Sequence, residues 1–397
     1  METLAPKLKD VAEQAVLDRR HLHMHPELGF QEVETSRFVA ERLRALGLEV
    51  RTGIAQTGVV GLLRGTRSGA HGPGKTILLR ADMDALPIEE ENEVAYRSTR
   101  PGVMHACGHD GHTAILLGAA RVLAERRDRL AGTVEFLFQP CEEKPPGGAI
   151  RMIEEGVLES PAVDAAFGLH LAQELPVGIV AARPGPIMAA ADMFQLDIVG
   201  QGGHAARPHE CVDAGLIAAQ VMVALHSIVA REVNPIEPAV ITVGVIQAGT
   251  APNVIPDRAL LRGTVRTFDQ RLRERLARRV EAVAVGVARA MRAECACTYE
   301  WGYPTVVNEP SMTEFVREVA QEVVGPERIA EREPSMGGED FAYFLQKVPG
   351  CFFNVGTRNE ERGLVWGHHH PRFDVDEAAL PVGIDMFVRL VERYLAP

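Results

Sequence analysis

The sequence predicts an α/β protein: a main domain built on a mixed central sheet, interrupted by a smaller inserted α+β domain. Three observations carry that expectation. Apolar, strand-like runs alternate with helical periodicity through the first half of the 397-residue chain, which is the rhythm of a sheet with crossover helices. Near Arg183-Pro184-Gly185-Pro186 the rhythm changes to half-exposed strands and two long helices. Finally, three of the early apolar runs lead directly into metal-ligand side chains, and the C-terminal edge of an open α/β sheet is where such folds place their sites. The expected division is 1–187 for the first part of the main domain, 188–302 for the insert and 303–397 for the second part.

Composition narrows the function classes. A chain of this length exceeds what one hydrophobic core usually organises, so two domains are expected. The net charge of -12 argues against a nucleic-acid partner. Six cysteines, at 107, 141, 211, 295, 297 and 351, lack the density of a disulfide scaffold and suggest a reducing compartment. Cys295 and Cys297 read as neighbouring strand positions on opposite faces rather than as a metal pair. The first 20 residues carry charges throughout, with no apolar core of signal-peptide length, so a cytoplasmic protein is expected. The longest apolar stretch, 214–230, is interrupted by Gln220, His226 and Ser227 and falls short of the roughly 20 residues of a bilayer span. It reads as an amphipathic helix, and no membrane partner is expected.

Taken in order, 36–46 is an expected helix stopped by Gly47, and 58–63 and 76–79 are buried strands. A helix follows at 113–126, a strand at 133–138, a helix at 148–155 and a strand at 164–169. The strand at 76–79 runs into Asp82 and Asp84, that at 133–138 into Glu142 and Glu143, and that at 164–169 ends at His170. In the insert, 193–199 alternates as an exposed sheet edge, and a helix covers 213–229. Strands fit 239–245 and 260–267, an Arg-rich helix 270–292, and a last strand 295–301. The main domain then resumes with a helix after Pro310, a strand at 351–355, His368-His369-His370-Pro371, and a closing helix at 377–394.

The densest chemistry lies in Met104-His105-Ala106-Cys107-Gly108-His109-Asp110-Gly111-His112. Thiolate and neutral imidazole are transition-metal donors, and the interspersed glycines allow the tight backbone that turns such side chains inward. The competing reading, a polar turn of solvated histidines, suits one histidine better than five potential donors within nine residues. The triple histidine is internal and too short for a tag.

At this point the chain resembles the dimetal amidohydrolases of the aminoacylase and glutamate-carboxypeptidase family, in the branch of hippurate hydrolase, N-acyl-amino-acid amidohydrolases and hydrolases of indole-acetyl amino acids. The resemblance runs nearly end to end, through Leu22-His23-Met24-His25-Pro26-Glu27-Leu28, Arg80-Ala81-Asp82-Met83-Asp84-Ala85-Leu86-Pro87, the Cys107 loop, Glu142-Glu143, Gly168-Leu169-His170, Gly202-Gly203-His204-Ala205-Ala206-Arg207-Pro208, Asn253-Val254-Ile255-Pro256 and the loop closing at His369. It implies a zinc-peptidase-like domain with an inserted lid or dimerisation domain. It further implies that Cys107 bridges two divalent metal ions, with His109 and His170 completing one and Glu143 and His369 the other. Zinc is the first expectation from donor softness, and manganese, cobalt or nickel serve in related enzymes. Asp82 stands where other branches carry a metal-binding His, with His109 as its substitute, so Asp84 is expected to support the ligands rather than bind.

Two metals can lower the pKa of a shared water and polarise a carbonyl oxygen, and the resemblance makes Glu142 the general base and acid. His204 resembles a histidine that reaches into a partner subunit's site and donates to the oxyanion. Asn253 and Arg266 are candidates for holding a substrate carboxylate, Arg266 through its bidentate geometry. The expected activity is hydrolysis of the amide bond of N-acyl amino acids, with acetyl, benzoyl or similar acyl groups, by a homodimer or homotetramer acting on a small molecule. A dipeptidase, carboxypeptidase or biosynthetic deacetylase is the alternative within enzymes; a catalytically silent metal-binding protein is the alternative outside them.

Overall fold

The computed structural model describes residues 5–67 and 74–396. In chain order the helices are α1 (Ala5–Met24), α2 (Val33–Ala45), α3 (His109–Glu125), α4 (Gly148–Glu154), α5 (Ala214–Glu232), α6 (Gln270–Ala290), α7 (Pro310–Val324), α8 (Ala342–Leu345) and α9 (Ala379–Tyr394). The strands are β1 (Glu49–Ile54), β2 (Gly58–Arg64), β3 (Thr76–Asp82), β4 (Thr133–Gln139), β5 (Ala165–Pro176), β6 (Val180–Ala181), β7 (Gly185–Met188), β8 (Ala190–Val199), β9 (Gly203–His204), β10 (Ala239–Ala248), β11 (Val254–Ile255), β12 (Arg258–Thr267), β13 (Glu294–Tyr303), β14 (Val306–Asn308), β15 (Ile329–Ala330) and β16 (Gly350–Arg358). Two compact units emerge. The first takes the chain up to Gly185, Val307–Glu333 and everything from Asp340 onward; the second takes Pro186–Val306 and the short return Pro334–Glu339.

The first unit is a mixed eight-stranded sheet in the order β1-β2-β4-β3-β5-β16-β6-β15. Its middle is parallel: β3 pairs with β4 and β5, and β5 with β16. The edge pairs β1/β2, β2/β4 and β6/β16 are antiparallel. Every residue of β3 is buried, as befits a parallel strand covered on both faces. One cover is α3, buried along nearly its whole length and packed against α1 and α9. Gly108 caps α3 at φ 89°, a left-handed turn that glycine adopts without steric cost. Gly111 answers a different need, since a Cβ there would lie 2.4 Å from Leu171 Cδ1.

Register brings the site residues level. Arg80 on β3 stands opposite Gly168 on β5, so Asp82 and His170, each two residues on, reach the same height of the sheet. The expectation that a strand stops at Leu169 is corrected here: β5 continues to Pro176 and pairs with β16 over most of that length. His170 is therefore a mid-strand residue, opposite Asn354.

The second unit is an antiparallel four-stranded sheet, β10-β12-β8-β13, with α5 and α6 on one face around a separate core. Two expectations fail here. The segment 193–199 is not a sheet edge, because β8 is paired on both sides, by β12 and β13; the edges are β10 and β13. Its alternation came from one face packing on the helices while the other stays open, which a central strand of a one-sided sheet shows equally. Cys295 and Cys297 share a face rather than opposing each other, since strand residues two apart point the same way; both pack with Tyr299 against the helix-covered core. All six cysteines are free. Helix α5 is by length and composition apolar enough to cross a membrane, but Ile217, Ala218, Val221, Leu225 and Ile228 are buried in this core.

Candidate metal centre

The end of β3 supplies the frame. Arg80 and Asp82, two apart on a buried strand, share a face, and Arg80 Nη1 donates to Asp82 Oδ2 at 2.7 Å. The same guanidinium reaches Gln139 on β4 and Asp340, each at 2.9 Å. His112 donates from Nδ1 to Asp82 Oδ1 at 2.6 Å and accepts the Leu171 N–H on Nε2 at 2.9 Å. With both nitrogens engaged, His112 joins β3 to β5 and has no lone pair left for a metal.

Three other imidazoles are fixed differently. His109 Nδ1 donates to the Asp84 carbonyl at 2.9 Å, and His170 Nδ1 to the Leu171 carbonyl at 2.8 Å. That arrangement sets the tautomer and leaves each Nε2 with its lone pair facing inward, the device metal sites use to orient a histidine. His368 Nε2 donates to the same Leu171 carbonyl at 2.8 Å, so the backbone N–H and C=O of one residue engage three rings. His369 has φ 64° and its N–H donates to the Ala106 carbonyl at 2.7 Å, placing its Nε2 3.3 Å from Glu143 Oε1. Asp84 holds the paired glutamates: its two carboxylate oxygens accept the backbone N–H groups of Glu142 and Glu143 at 2.9 and 3.0 Å.

The donors converge. Cys107 Sγ lies 3.6 Å from His170 Nε2. Donor atoms of Cys107, His109 and His170 all fall within 4.8 Å of one another, as do those of Cys107, Glu143 and His369, and those of His109, Glu142 and Glu143. His109 Nε2 and Glu143 Oε1 are buried without a hydrogen-bond partner, a state that costs free energy unless something fills the gap. A divalent cation suits it: two donor triads share one sulfur, and the orphaned atoms are an imidazole lone pair and a carboxylate oxygen.

Electrostatics point the same way. Burial opposes charge on His109, yet Asp82, Asp84 and Glu143 outweigh it and raise its pKa to about 10; the cavity attracts positive charge where Nε2 points. Burial, and then the carboxylates of Glu143, Glu142 and Asp82, hold the Cys107 thiol well above its ordinary value, so a thiolate there requires a cation. His170 is held well below the ordinary range by burial, then by His112 and His368, and is therefore a neutral donor. Glu142 is buried at 7 % exposure beside this group.

His204, Asn253 and Arg266 belong to the second unit. His204 on β9 pairs with Val254 on β11, and Asn253 accepts the Ala205 N–H through its carbonyl at 3.1 Å. The exposed His204 ring accepts the Ala206 N–H on Nδ1 at 3.1 Å, which leaves the proton on Nε2. Arg266 on β12 is half-buried and has no ion-pair partner among the described residues, and burial lowers its pKa slightly against the pull of Asp192.

Comparison with known proteins decides the lineage. Residues 78–393 match peptidase family M20/M25/M40. The chain belongs to this family. It is 42% identical over 373 residues to the N-acetyl-L-cysteine deacetylase of Bacillus subtilis, covering 94% of this chain and 86% of that one. It is 42% identical over 386 residues to thermostable carboxypeptidase 2 of Saccharolobus solfataricus, covering 96% of each. Among solved structures it resembles a dinuclear metal-binding M20 peptidase from Bacillus subtilis, with a TM-score of 0.83 and 36% identity over 98% of this chain and 99% of that one. As an M20 protein with hydrolase relatives along almost its full length, the chain is an amide hydrolase.

Several residues that shape this M20 site carried no sequence expectation of their own. Arg80 and His112 are among them, and the i, i+2 spacing of Arg80 and Asp82 at the end of an apolar run is a usable sign of a buried ion pair. Asp340 and the Leu171 peptide had no such sign, because their importance comes from what β4 and α3 bring to them. Cys141, at φ 51°, is a small buried residue packed over Gly29 and contributes no donor to the centre.

Proposed function

We propose that this M20 protein hydrolyses the amide bond of N-acyl amino acids at a two-metal centre, releasing an amino acid and a carboxylic acid. The observation that carries the reading is the pair of donor triads sharing Cys107 Sγ, with His109 Nε2 and Glu143 Oε1 buried without a hydrogen bond between them. In this reading Cys107 bridges, His109 and His170 complete one site, and Glu143 and His369 the other. Zinc suits the thiolate and imidazole donors best, with manganese, cobalt or nickel as substitutes. When bound, a metal pair lowers the pKa of a shared water and polarises the scissile carbonyl.

The protein's own groups do the rest. Glu142 takes a proton on its carboxylate and returns it to the leaving nitrogen. Asp84 fixes the turn that carries both glutamates by accepting their two backbone N–H groups; in this reading Glu143 holds metal and Glu142 moves the proton. Arg266, half-buried and without an ion-pair partner among the described residues, is the candidate for the substrate carboxylate, with Asn253 beside His204. A homodimer joined through the second unit would bring the His204 Nε2–H to the opposite subunit's oxyanion. The exposed side chains of Ile246 on edge strand β10 and of Leu216 and Val223 on α5 support such a contact.

The deacetylase relative favours N-acyl amino acids, and the carboxypeptidase relative favours a second reading in which the acyl group is itself a peptide. A panel of N-acetyl and N-benzoyl amino acids against dipeptides separates them. Turnover of the acyl amino acids at a kcat/KM at least tenfold above that of dipeptides is expected; the reverse order would replace the first reading by the second.

A further inference from the structure

Arg19 lies on α1, outside the donor set, and is completely buried. Its guanidinium spans the first turn of α3, which the Cys107 loop enters, and the loop that follows His369. Nε donates to Asp110 Oδ2 at 2.8 Å and Nη2 to Asp374 Oδ1 at 2.7 Å, while Nη1 lies 3.5 Å from Glu377 Oε1. Asp110 follows His109 directly in the first turn of α3. Asp374 lies five residues beyond His369, and the Phe373 N–H closes that turn on the His370 carbonyl at 2.9 Å.

Both acceptors are themselves fixed. His23, one helical turn from Arg19, donates from Nδ1 to the same Asp110 oxygen at 2.8 Å, and its Nε2 lies 3.2 Å from Glu90 Oε1. The Tyr96 hydroxyl donates to the second Asp374 oxygen at 2.7 Å, and its ring lies 5.0 Å from the Arg19 guanidinium. Arg19 Nη1 and Asp110 Oδ1 have no hydrogen-bond partner, so the buried guanidinium depends on its Nε and Nη2 contacts, and losing either would leave a buried charge uncompensated. Those two contacts are made at one spacing of Asp110 and Asp374 and lost at others.

On the site side, the same two loops meet through the His369 N–H and the Ala106 carbonyl. His109 has α3 to hold it, whereas His369 sits at φ 64° in a loop outside any regular element. Of the two, the His369 loop depends more on a tie from behind.

We propose that Arg19 is a positioning residue: through Asp110 and Asp374 it holds the Cys107–His109 loop and the His369 loop at the separation that lets their donors meet in one centre. The inference rests on the reading of Cys107, His109 and His369 as metal donors. Lysine cannot do this work, because an ammonium is a point charge without the two-sided fork that spans both carboxylates.

The test is cobalt binding by metal-free protein, followed by thiolate charge-transfer absorption and calorimetry, in wild type, Arg19→Lys and Asp374→Asn. Metal-free melting curves first establish that each is folded. Wild type is expected to take two equivalents. In Arg19→Lys the equivalent that uses His369 is expected to bind 10- to 100-fold more weakly, roughly the effect of losing an outer-shell partner, with the metal-free melting temperature within a few degrees of wild type. Two equivalents bound within threefold of wild type by folded Arg19→Lys would overturn the proposal. If Arg19→Lys does not fold, Asp374→Asn is judged by the same criterion; failure of both to fold overturns it as well, since the cluster would then serve folding rather than loop spacing. A wild-type chain that takes up no cobalt pair sinks the two-metal reading itself, an outcome distinct from equal, tight binding by wild type and variant.

Discussion

Two regions of the first unit bury polar atoms without partners, and they differ in one respect. At the sheet edge, His109 Nε2 and Glu143 Oε1 are orphaned, but the donors of Cys107, His170 and His369 crowd within 4.8 Å in overlapping groups. Towards the β1 side of the same sheet, both carboxylate oxygens of Glu135 on β4 and two guanidinium nitrogens of Arg51 on β1 are orphaned too, with no ion pair between them. Among the described residues no group of metal donors forms around Glu135. An unsatisfied buried atom is a cost in either place; convergence of several on one volume distinguishes a site built for a ligand from a local compromise in packing.

If that distinction holds, disturbing the first region should change chemistry and disturbing the second only stability. The largest effect is expected from Glu142→Gln, which removes a proton acceptor and no donor in the proposed scheme. Activity should fall by about 10³-fold or more, within or beyond the range for losing a general base, while metal content measured by emission spectrometry stays at the wild-type level. A variant that keeps most of its turnover would remove Glu142 from the mechanism.

Cys107→Ser cuts at the atom the two triads share. A serine hydroxyl is a harder and weaker donor than thiolate, so both metal equivalents should weaken together, by more than the roughly 10- to 100-fold of an outer-shell change, and activity should follow metal content. Full dimetal occupancy in this variant, determined after exhaustive dialysis, would refute the bridging role.

A smaller loss, about 100-fold, is expected for His204→Ala, the scale of a single oxyanion donor. Its location makes it informative beyond its size. Mixing inactive His204→Ala and Glu142→Gln proteins under conditions of subunit exchange should restore roughly a quarter of wild-type activity, since half the dimers are then mixed and one site of two in each is intact. Without restoration, once exchange is demonstrated by mass spectrometry, His204 does not serve a neighbouring subunit.

What the sequence disclosed follows the same physics. The ends of β3 and β4 and the Cys107 loop are legible because continuous apolar runs and donor residues sit next to each other in the chain, so the sheet edge carrying Asp82 and Glu142 follows from sequence alone; the end expected at His170 does not, because β5 runs on to Pro176. Strand order was less legible: the alternation at 193–199 is the same for a central and an edge strand, and only pairing partners tell them apart. Least legible were roles created by distant segments. Leu171 is a hub because His112 accepts its N–H while His170 and His368 donate to its C=O, and backbone groups carry no residue signature. Arg19 belongs to the same class, its partners lying 91 and 355 residues away.

The smallest expected effect tests the second region. Burial raises the pKa of Glu135 to about 8, against the pull of Arg51, while in the unfolded chain a glutamate titrates near its ordinary value of about 4.3. The folded state therefore holds this proton more tightly than the unfolded state. Below the unfolded pKa both states are protonated and Glu135 carries no ionisation penalty; as pH rises towards 8 the unfolded chain alone ionises, and stability is lost across that interval. Glu135→Gln keeps the shape and removes the titration. It should match wild type near pH 4 and exceed it by a margin that grows steadily towards pH 8, with metal binding and turnover unchanged. Denaturant melts of metal-free protein at the two pH values measure the difference directly. An equal pH dependence in wild type and variant would show that the carboxyl finds a partner in solution, and a loss of activity would erase the contrast between the two regions.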